Sequence, residues 1–359
     1  MNNKTNQTQG TNITISTVNA LQTAIISFIN NIGYFYITTP ICVIGILLNI
    51  VSIIVFVRLG KNGNIYKYFM VKTIAESIIL LIGSLIPFGT CVNCAVFQTL
   101  PQAIYRLLGT GSFNQIASTY SGFSEIAITI DRILILKNKE LKVFNYKLVM
   151  PIMFILSFSM FIPMFFANYI RNVGSRFIFT STDFGSSPSY PLYLASVVLS
   201  RNLFFFVSLS TGNILLLIEF RKYLNKKYKL VNAFSKSNAP RIKTESSKDN
   251  NSNLSNNKGS NETNGTGQRK TKDDPEKKLT KMALTLSLIF IVSRCLQSVG
   301  SISTSIDRSM NVRFNPFTTI YTFFTNVLTY VIYSMSFLAH YYFNNSFAEE
   351  LKNFFKKST

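Results

Sequence analysis

The chain contains no tryptophan, one histidine, four cysteines and only 15 acidic residues in 359 positions, and charged residues of both signs make up just 14% of it. Each shortage excludes something. A soluble domain carries about 25% charged residues, so a soluble enzyme is not expected. A single imidazole, His340, cannot supply a multi-histidine metal centre, and no metal or cofactor is expected. Four cysteines are too few for a secreted disulfide scaffold, and an apolar content of 47% is too high for a disordered chain. The charge is missing in blocks: residues 32–57, 148–170 and 314–348 hold no Asp, Glu, Lys or Arg. Roughly 20 apolar residues cross a bilayer as a helix, so each block is long enough.

What is present is sorted by position. Seven stretches, Ile32–Val57, Tyr68–Val92, Phe113–Leu136, Leu148–Ala167, Ser196–Phe220, Met282–Ile302 and Phe317–Phe343, read as the spans of an all-α, seven-transmembrane helix bundle. Gly109 to Gly111 read as a break ahead of the third span. Pro151 and Pro163 in the fourth are tolerable where neighbouring helices satisfy the freed carbonyls. No cleavable signal peptide is apparent in the polar first thirty residues, so the first span is expected to act as the address. Placing residues 58–67, 132–147, 221–281 and 352–359 on one side gathers 27 of the 36 Lys and Arg there. The opposite side keeps Lys4, Arg106, Arg171, Arg176, Arg308 and Arg313. The positive side is cytoplasmic, which puts the tail 1–30 outside the plasma membrane. Sequons at Asn3, Asn6 and Asn12 are then open to glycosylation, whereas those at Asn250, Asn253, Asn261 and Asn264 fall inside and would be silent.

The pattern divides the chain into the tail 1–30, spans one to five in 31–220, a loop 221–281, spans six and seven in 282–343, and a terminal segment 344–359. The loop is an Asn, Ser, Gly and Lys tract with basic ends, too polar to offset the entropy of ordering, and reads as disordered. Its basic ends suit anionic membrane lipids, a partner protein, or both. Because its charge lies beside membrane spans, nucleic acid is not an expected partner. After span seven, Ser346 to Glu349 reads as a capping box. Phe347, Leu351, Phe354 and Phe355 form an apolar stripe, with Lys352, Lys356 and Lys357 toward the headgroups. A short amphipathic eighth helix on the inner leaflet follows. Cys91 and Cys94 read as a pair or as free thiols, and Cys42 and Cys295 as buried small apolar residues. Residues 175–189 alternate polar and apolar and read either as a small hairpin or as an unstructured loop.

Charges inside a membrane are costly and face the bundle interior. Glu76, Glu125, Arg132, Arg201 and Arg294 are such charges. Glu125 and Arg132 lie seven residues apart and share one helix face. Arg294 needs an anion or carbonyls; Glu125 and Glu76 are the candidate partners, with a Glu125 pair expected, against direct contact with an acidic ligand or a purely structural arrangement. Arg201, nearer the outer end of span five, reads as a partner for a ligand carboxylate or as a side chain snorkelling to the interface.

The order of several short motifs carries a family likeness. Gly45 and Asn49 in GILLNIVSIIVF, Ala75-Glu76 in span two, Asp131-Arg132-Ile133 closing span three, and Ser336-Phe337-Leu338-Ala339-His340 ahead of Phe347 resemble a divergent rhodopsin-like G-protein-coupled receptor. Over residues 30–357 the organisation is similar to invertebrate FMRFamide-type peptide receptors. The departures are definite. Glu76 stands for the family's Asp, Ile133 for Tyr, Ser336 and His340 for Asn and Tyr, and Leu107 for the cysteine of the usual clamp. In Phe290-x-x-x-Arg294-Cys295-x-Gln297, Arg294 replaces the sixth-helix Trp. The resemblance implies that Asp131, Arg132 and Ile133 form the switch that couples to a heterotrimeric G protein. It further implies an intramembrane network of Asn49, Glu76, Glu125, Arg294, Ser336 and His340, with Asn49 the expected hydrogen-bond partner of Glu76. Glu76 falls at the family's sodium site, as a cation ligand or a salt-bridged packing residue. Asn114, Arg201 and Gln297 are the implied ligand contacts. Asn114 replaces the Asp that holds amines, so the expected extracellular ligand is a neuropeptide. A chemosensory receptor for another ligand and a small membrane transporter are the competing functions; no internal repeat of the transporter kind is visible.

Overall fold

The protein is seen in a computed structural model that describes residues 22, 24–60, 64–90, 98–137, 146–187, 189–237, 275–309 and 315–358. The sequons, Cys91, Cys94 and the centre of the 221–281 loop lie outside the described residues. The elements are α1 (Thr39–Leu59), α2 (Asn64–Ser84), α3 (Ile86–Thr90), α4 (Leu100–Ile104), α5 (Asn114–Leu136), α6 (Tyr146–Ser159), α7 (Ile162–Ala167), β1 (Asn168–Val173), β2 (Arg176–Ser181), α8 (Asp183–Ser186), α9 (Ser189–Ser237), α10 (Pro275–Ser309), α11 (Pro316–Phe343) and α12 (Asn345–Ser358). Two wider, π-helical stretches, Ile29–Thr38 and Tyr105–Phe113, run directly into α1 and α5.

Among the described residues six helical stretches are long and apolar enough to cross a membrane, as expected of a multi-pass membrane protein: Ala24–Leu59, Asn64–Thr90, Tyr146–Ala167, Ser189–Lys229, Lys278–Thr304 and Pro316–Phe343. Helix α5 is too polar to join them, with Gln115, Ser118, Thr119, Ser121, Ser124, Glu125 and Asp131 along its length. The reason is its position. It packs against α2, α6, α9 and α10, so its polar side chains meet other helices. The packing order closes a ring, α1 on α2, α2 on α5, α5 on α9, α9 on α10, α10 on α11 and α11 back on α1. Burial is inverted relative to a soluble protein. Ile155 and Leu203 are about 60% exposed, at 63% and 59%, whereas Asn49 and Glu125 are at 0%. An apolar outer surface with polar groups inside suits hydrocarbon surroundings, where a charge facing outward finds no partner.

Local chemistry accounts for the helix boundaries. Pro40 falls where the wider stretch Ile29–Thr38 gives way to α1, and the change of helical pitch there accommodates a residue with no N–H to donate. Pro163 lacks the N–H for the carbonyl of Ser159 and its ring would clash there, and α6 ends at that residue before α7 restarts. At Gly109 to Gly111 the expected break is absent. The backbone stays helical and widens instead, which keeps its hydrogen-bonding groups satisfied where a break would expose them. The hairpin does form, but from residue 168, pairing Asn168 with Ser181 and Val173 with Arg176. Gly174, at φ +66°, supplies the left-handed turn residue. Helix α9 runs 17 residues beyond Phe220, to Ser237, and α10 starts at Pro275, so both ends of the 221–281 segment are helical.

Two smaller expectations are corrected. Cys295 is exposed on the outer face of α10, whereas Cys42 is buried. The cap of α12 is Asn344, whose side-chain oxygen accepts from the Phe347 N–H at 3.1 Å; Ser346 is already inside the helix. The apolar stripe behaves as expected for Phe347 and Leu351, which are buried against Phe56, Phe69 and Tyr68, while Phe355 stays exposed.

Candidate functional site

Three polar features are strung along α5. The first is a cavity of about 260 Å³ walled by α2, α5, α9, α10 and α11. It brings together all three expected ligand contacts, Asn114, Arg201 and Gln297. Arg201 is 4% exposed. Its Nη1 donates to Gln115 Oε1 at 2.7 Å and Thr119 Oγ1 at 3.2 Å, its Nε to Asn202 Oδ1 at 3.2 Å, and its guanidinium lies 5.6 Å from the Phe161 ring centre. Arg294, 1% exposed, forms the wall behind. Its Nη1 donates to Ser118 Oγ at 2.6 Å and Gln297 Oε1 at 3.0 Å, and its Nη2 to the Ser118 carbonyl at 2.8 Å and Tyr333 Oη at 3.3 Å. The same guanidinium stacks 4.5 Å over the Phe290 ring. One side chain thus ties α5, α10 and α11 together. Gln297 Nε2 extends the network to Thr329 Oγ1 at 3.0 Å.

Deeper in the bundle is a cluster of charges. Lys72 Nζ lies 2.7 Å from Glu125 Oε2 and 3.5 Å from Glu76 Oε1. Lys72 and Glu76 sit one turn apart on α2, so they share a face, and α2 packs that face on α5. Ser336, buried on α11, faces the Glu76 carboxylate. Two carboxylates share one ammonium, and Glu76 Oε2 and Glu125 Oε1 receive no hydrogen bond among the described residues. The expected pair of Glu125 with Arg294 is not made: Glu125 takes Lys72, and Arg294 takes neutral oxygens. Nor does Asn49 bond Glu76, since neither atom of its buried amide has a partner among the described residues. His340 is buried without a partner for Nδ1, edge-on to Phe56 and Phe69 with ring centres 4.8 and 4.7 Å away.

The third feature closes α5. Arg132 is buried, with Nη2 3.5 Å from Asp131 Oδ2. Ile133 packs in the apolar cluster that contains Tyr68, Met282 and Phe347. Across from it, Glu219 on α9 pairs with Lys222 at 2.9 Å and approaches Lys137 at 3.9 Å. Sequence reasoning missed Lys72 as a site residue, although its spacing of four from Glu76 was a usable signal. It also missed Ser118 and Tyr333, for which hydroxyls on apolar helices gave no distinguishing mark. No protein-family model matches the chain, and no curated protein sequence matches it.

Proposed function

We propose that this chain is a seven-helix plasma-membrane receptor that takes an extracellular ligand, a neuropeptide, into the polar cavity and signals to a heterotrimeric G protein at the Asp131–Arg132 end. The observation that carries this reading is the arrangement along one helix. Asn114 on the cavity and Arg132 at the far end are eighteen residues apart on α5, about 27 Å at 1.5 Å per residue. Glu125, held by Lys72, lies between them. A ligand that prefers one packing of α5 against α9, α10 and α11 has a direct mechanical route to the other end, and only such a preference shifts the balance of states. In this reading α5 is the seventh membrane-crossing helix, lined by its neighbours. The distribution of Lys and Arg supports an amino terminus on the outside. Helix α12 then lies on the inner leaflet, its Phe347 and Leu351 packed inward and its lysines at the headgroups. The cavity is smaller than the roughly 300–1,000 Å³ of a drug-sized site, so it suits one end of a peptide, with the hairpin Asn168–Ser181 at the helix ends nearby.

The test is a peptide-library screen on cells expressing the chain, read by G-protein nucleotide exchange. An active peptide should lose its effect in Arg132→Ala at matched surface abundance. Exchange unchanged by that substitution, or a carboxyl-terminal tag accessible without permeabilisation, would refute the proposal.

A further inference from the structure

We infer that the cavity is an anion site, built to bind a carboxylate through Arg201 with Arg294 behind it. The inference rests on the receptor reading for the origin of the ligand, and on the geometry alone for its charge. Both guanidiniums are almost wholly buried, and every hydrogen bond they make goes to a neutral oxygen. No Asp or Glu lines the cavity. The carboxylates within the bundle, Glu76 and Glu125, are already engaged by Lys72. The two are held by neighbouring positions on α5, Arg201 by Gln115 and Thr119 and Arg294 by Ser118. Neutral dipoles satisfy guanidinium N–H groups without cancelling their charge, so two like charges stand in a low-dielectric site with no counter-charge among the described residues.

The cavity side of Arg201 is open to a ligand. Arg201 lines the cavity, and among the described residues its Nη2 makes no hydrogen bond. On another wall of the same cavity, from α11, the Thr322 hydroxyl is buried and makes no hydrogen bond among the described residues. A guanidinium edge is the geometric complement of a planar carboxylate, and the Thr322 hydroxyl adds a polar group to the cavity lining. The cavity volume fits the end of a peptide chain or a small organic acid, and both carry the same group.

The test uses the full chain purified in detergent, at fixed ionic strength, with matched pairs of probes. One pair is 4-phenylbutanoic acid and 4-phenylbutanamide; the other is N-acetyl-leucyl-phenylalanine as free acid and as amide. The acids should raise the unfolding temperature and the amides should not. Stabilisation by the dipeptide acid alone identifies a peptide carboxyl terminus, and stabilisation by both acids a small-acid site. Arg201→Gln should weaken the acid effect by roughly 30-fold or more, the usual consequence of removing one partner of a buried charged contact, and Arg201→Lys should keep part of it. Should Arg201→Gln fail to fold, the acid-to-amide contrast in the unaltered chain decides by itself. Equal stabilisation by acids and amides, no stabilisation by any of the four, or a preference for methyl phosphate over the acids overturns the assignment. Nucleotide exchange run with the same probes separates the two readings. Acid-selective stabilisation while the peptide-library screen gives no exchange leaves the anion site and removes the receptor; an active peptide whose exchange is unchanged by amidation of its carboxyl terminus does the reverse.

Discussion

Replacing Lys72 by methionine should be among the most damaging single substitutions in this chain. At an effective dielectric constant of 20, the ammonium attracts Glu125 at 2.7 Å and Glu76 at 3.5 Å by about 6 and about 5 kcal/mol before desolvation is counted. Desolvation of three buried ions offsets most of this, so the intact cluster adds little net stability. Losing the cation alone is different. It leaves two carboxylates facing each other with no counter-charge, and breaking a buried pair from one side costs about 3–5 kcal/mol. Against a typical stability of 5–15 kcal/mol, surface abundance and unfolding temperature should both fall sharply. The triple replacement Lys72→Met, Glu76→Gln, Glu125→Gln removes all three charges and should recover most of the loss. A double-mutant cycle should give strong coupling for Lys72 with Glu125 and near-additivity for Glu125 with Arg294. Unchanged unfolding of Lys72→Met, or coupling of Glu125 to Arg294 with none to Lys72, would show that the cluster is wired differently.

Because Lys72 already supplies a cation to Glu76 and Glu125, unfolding of the unaltered chain should not distinguish sodium from choline salts, whereas Lys72→Met should be selectively stabilised by sodium. Sodium-specific stabilisation of the unaltered chain would contradict this. Asn344→Ala should cost about 1 kcal/mol by removing the α12 cap, and Ser346→Ala only a few tenths. Amide hydrogen exchange across residues 345–358 measures the difference, and the opposite ranking would restore Ser346 as the cap. Gly122→Val should destabilise by about 1–3 kcal/mol through overpacking, because a Cβ there would lie 2.6 Å from the Phe205 ring. Partial recovery with Phe205→Leu would locate the strain, and no recovery would place it elsewhere.

The bundle was legible because a membrane demands long uncharged helices, and the blocks at 32–57, 148–170 and 314–348 carry that demand openly. Helix ends were less so. The basic run after Phe220 looked like loop because its charge density is high, but Leu, Lys and Tyr are acceptable helix residues, and Phe220, Leu224 and Tyr228 keep a spacing of four. Pro275, fitting for a first helical position, marked the start of α10 once the helix was sought further out. The α12 cap was displaced by two residues because Asn344 and Ser346 are both good caps, and only the entry angle of the chain chooses between them.

The error at Glu125 was one of depth. Arg294 bonds to Ser118, seven residues before Glu125 on α5, which places the two charges about 10 Å apart along the helix axis. Apolar patterning fixes which residues lie within a span, but it does not fix the height of one helix against the next. Heights settle only when side chains interlock, as Arg294 does across α5, α10 and α11. Once they are set, the charges separate into two layers. The upper one holds two arginines and no acid; the lower holds two acids and one lysine. Each layer is unbalanced by itself and opposite in sign to the other, with α5 contributing to both. A carboxylate entering the cavity would halve the net charge of the upper layer and so weaken its attraction for the lower one, and that change reaches Glu125 about two turns before Arg132.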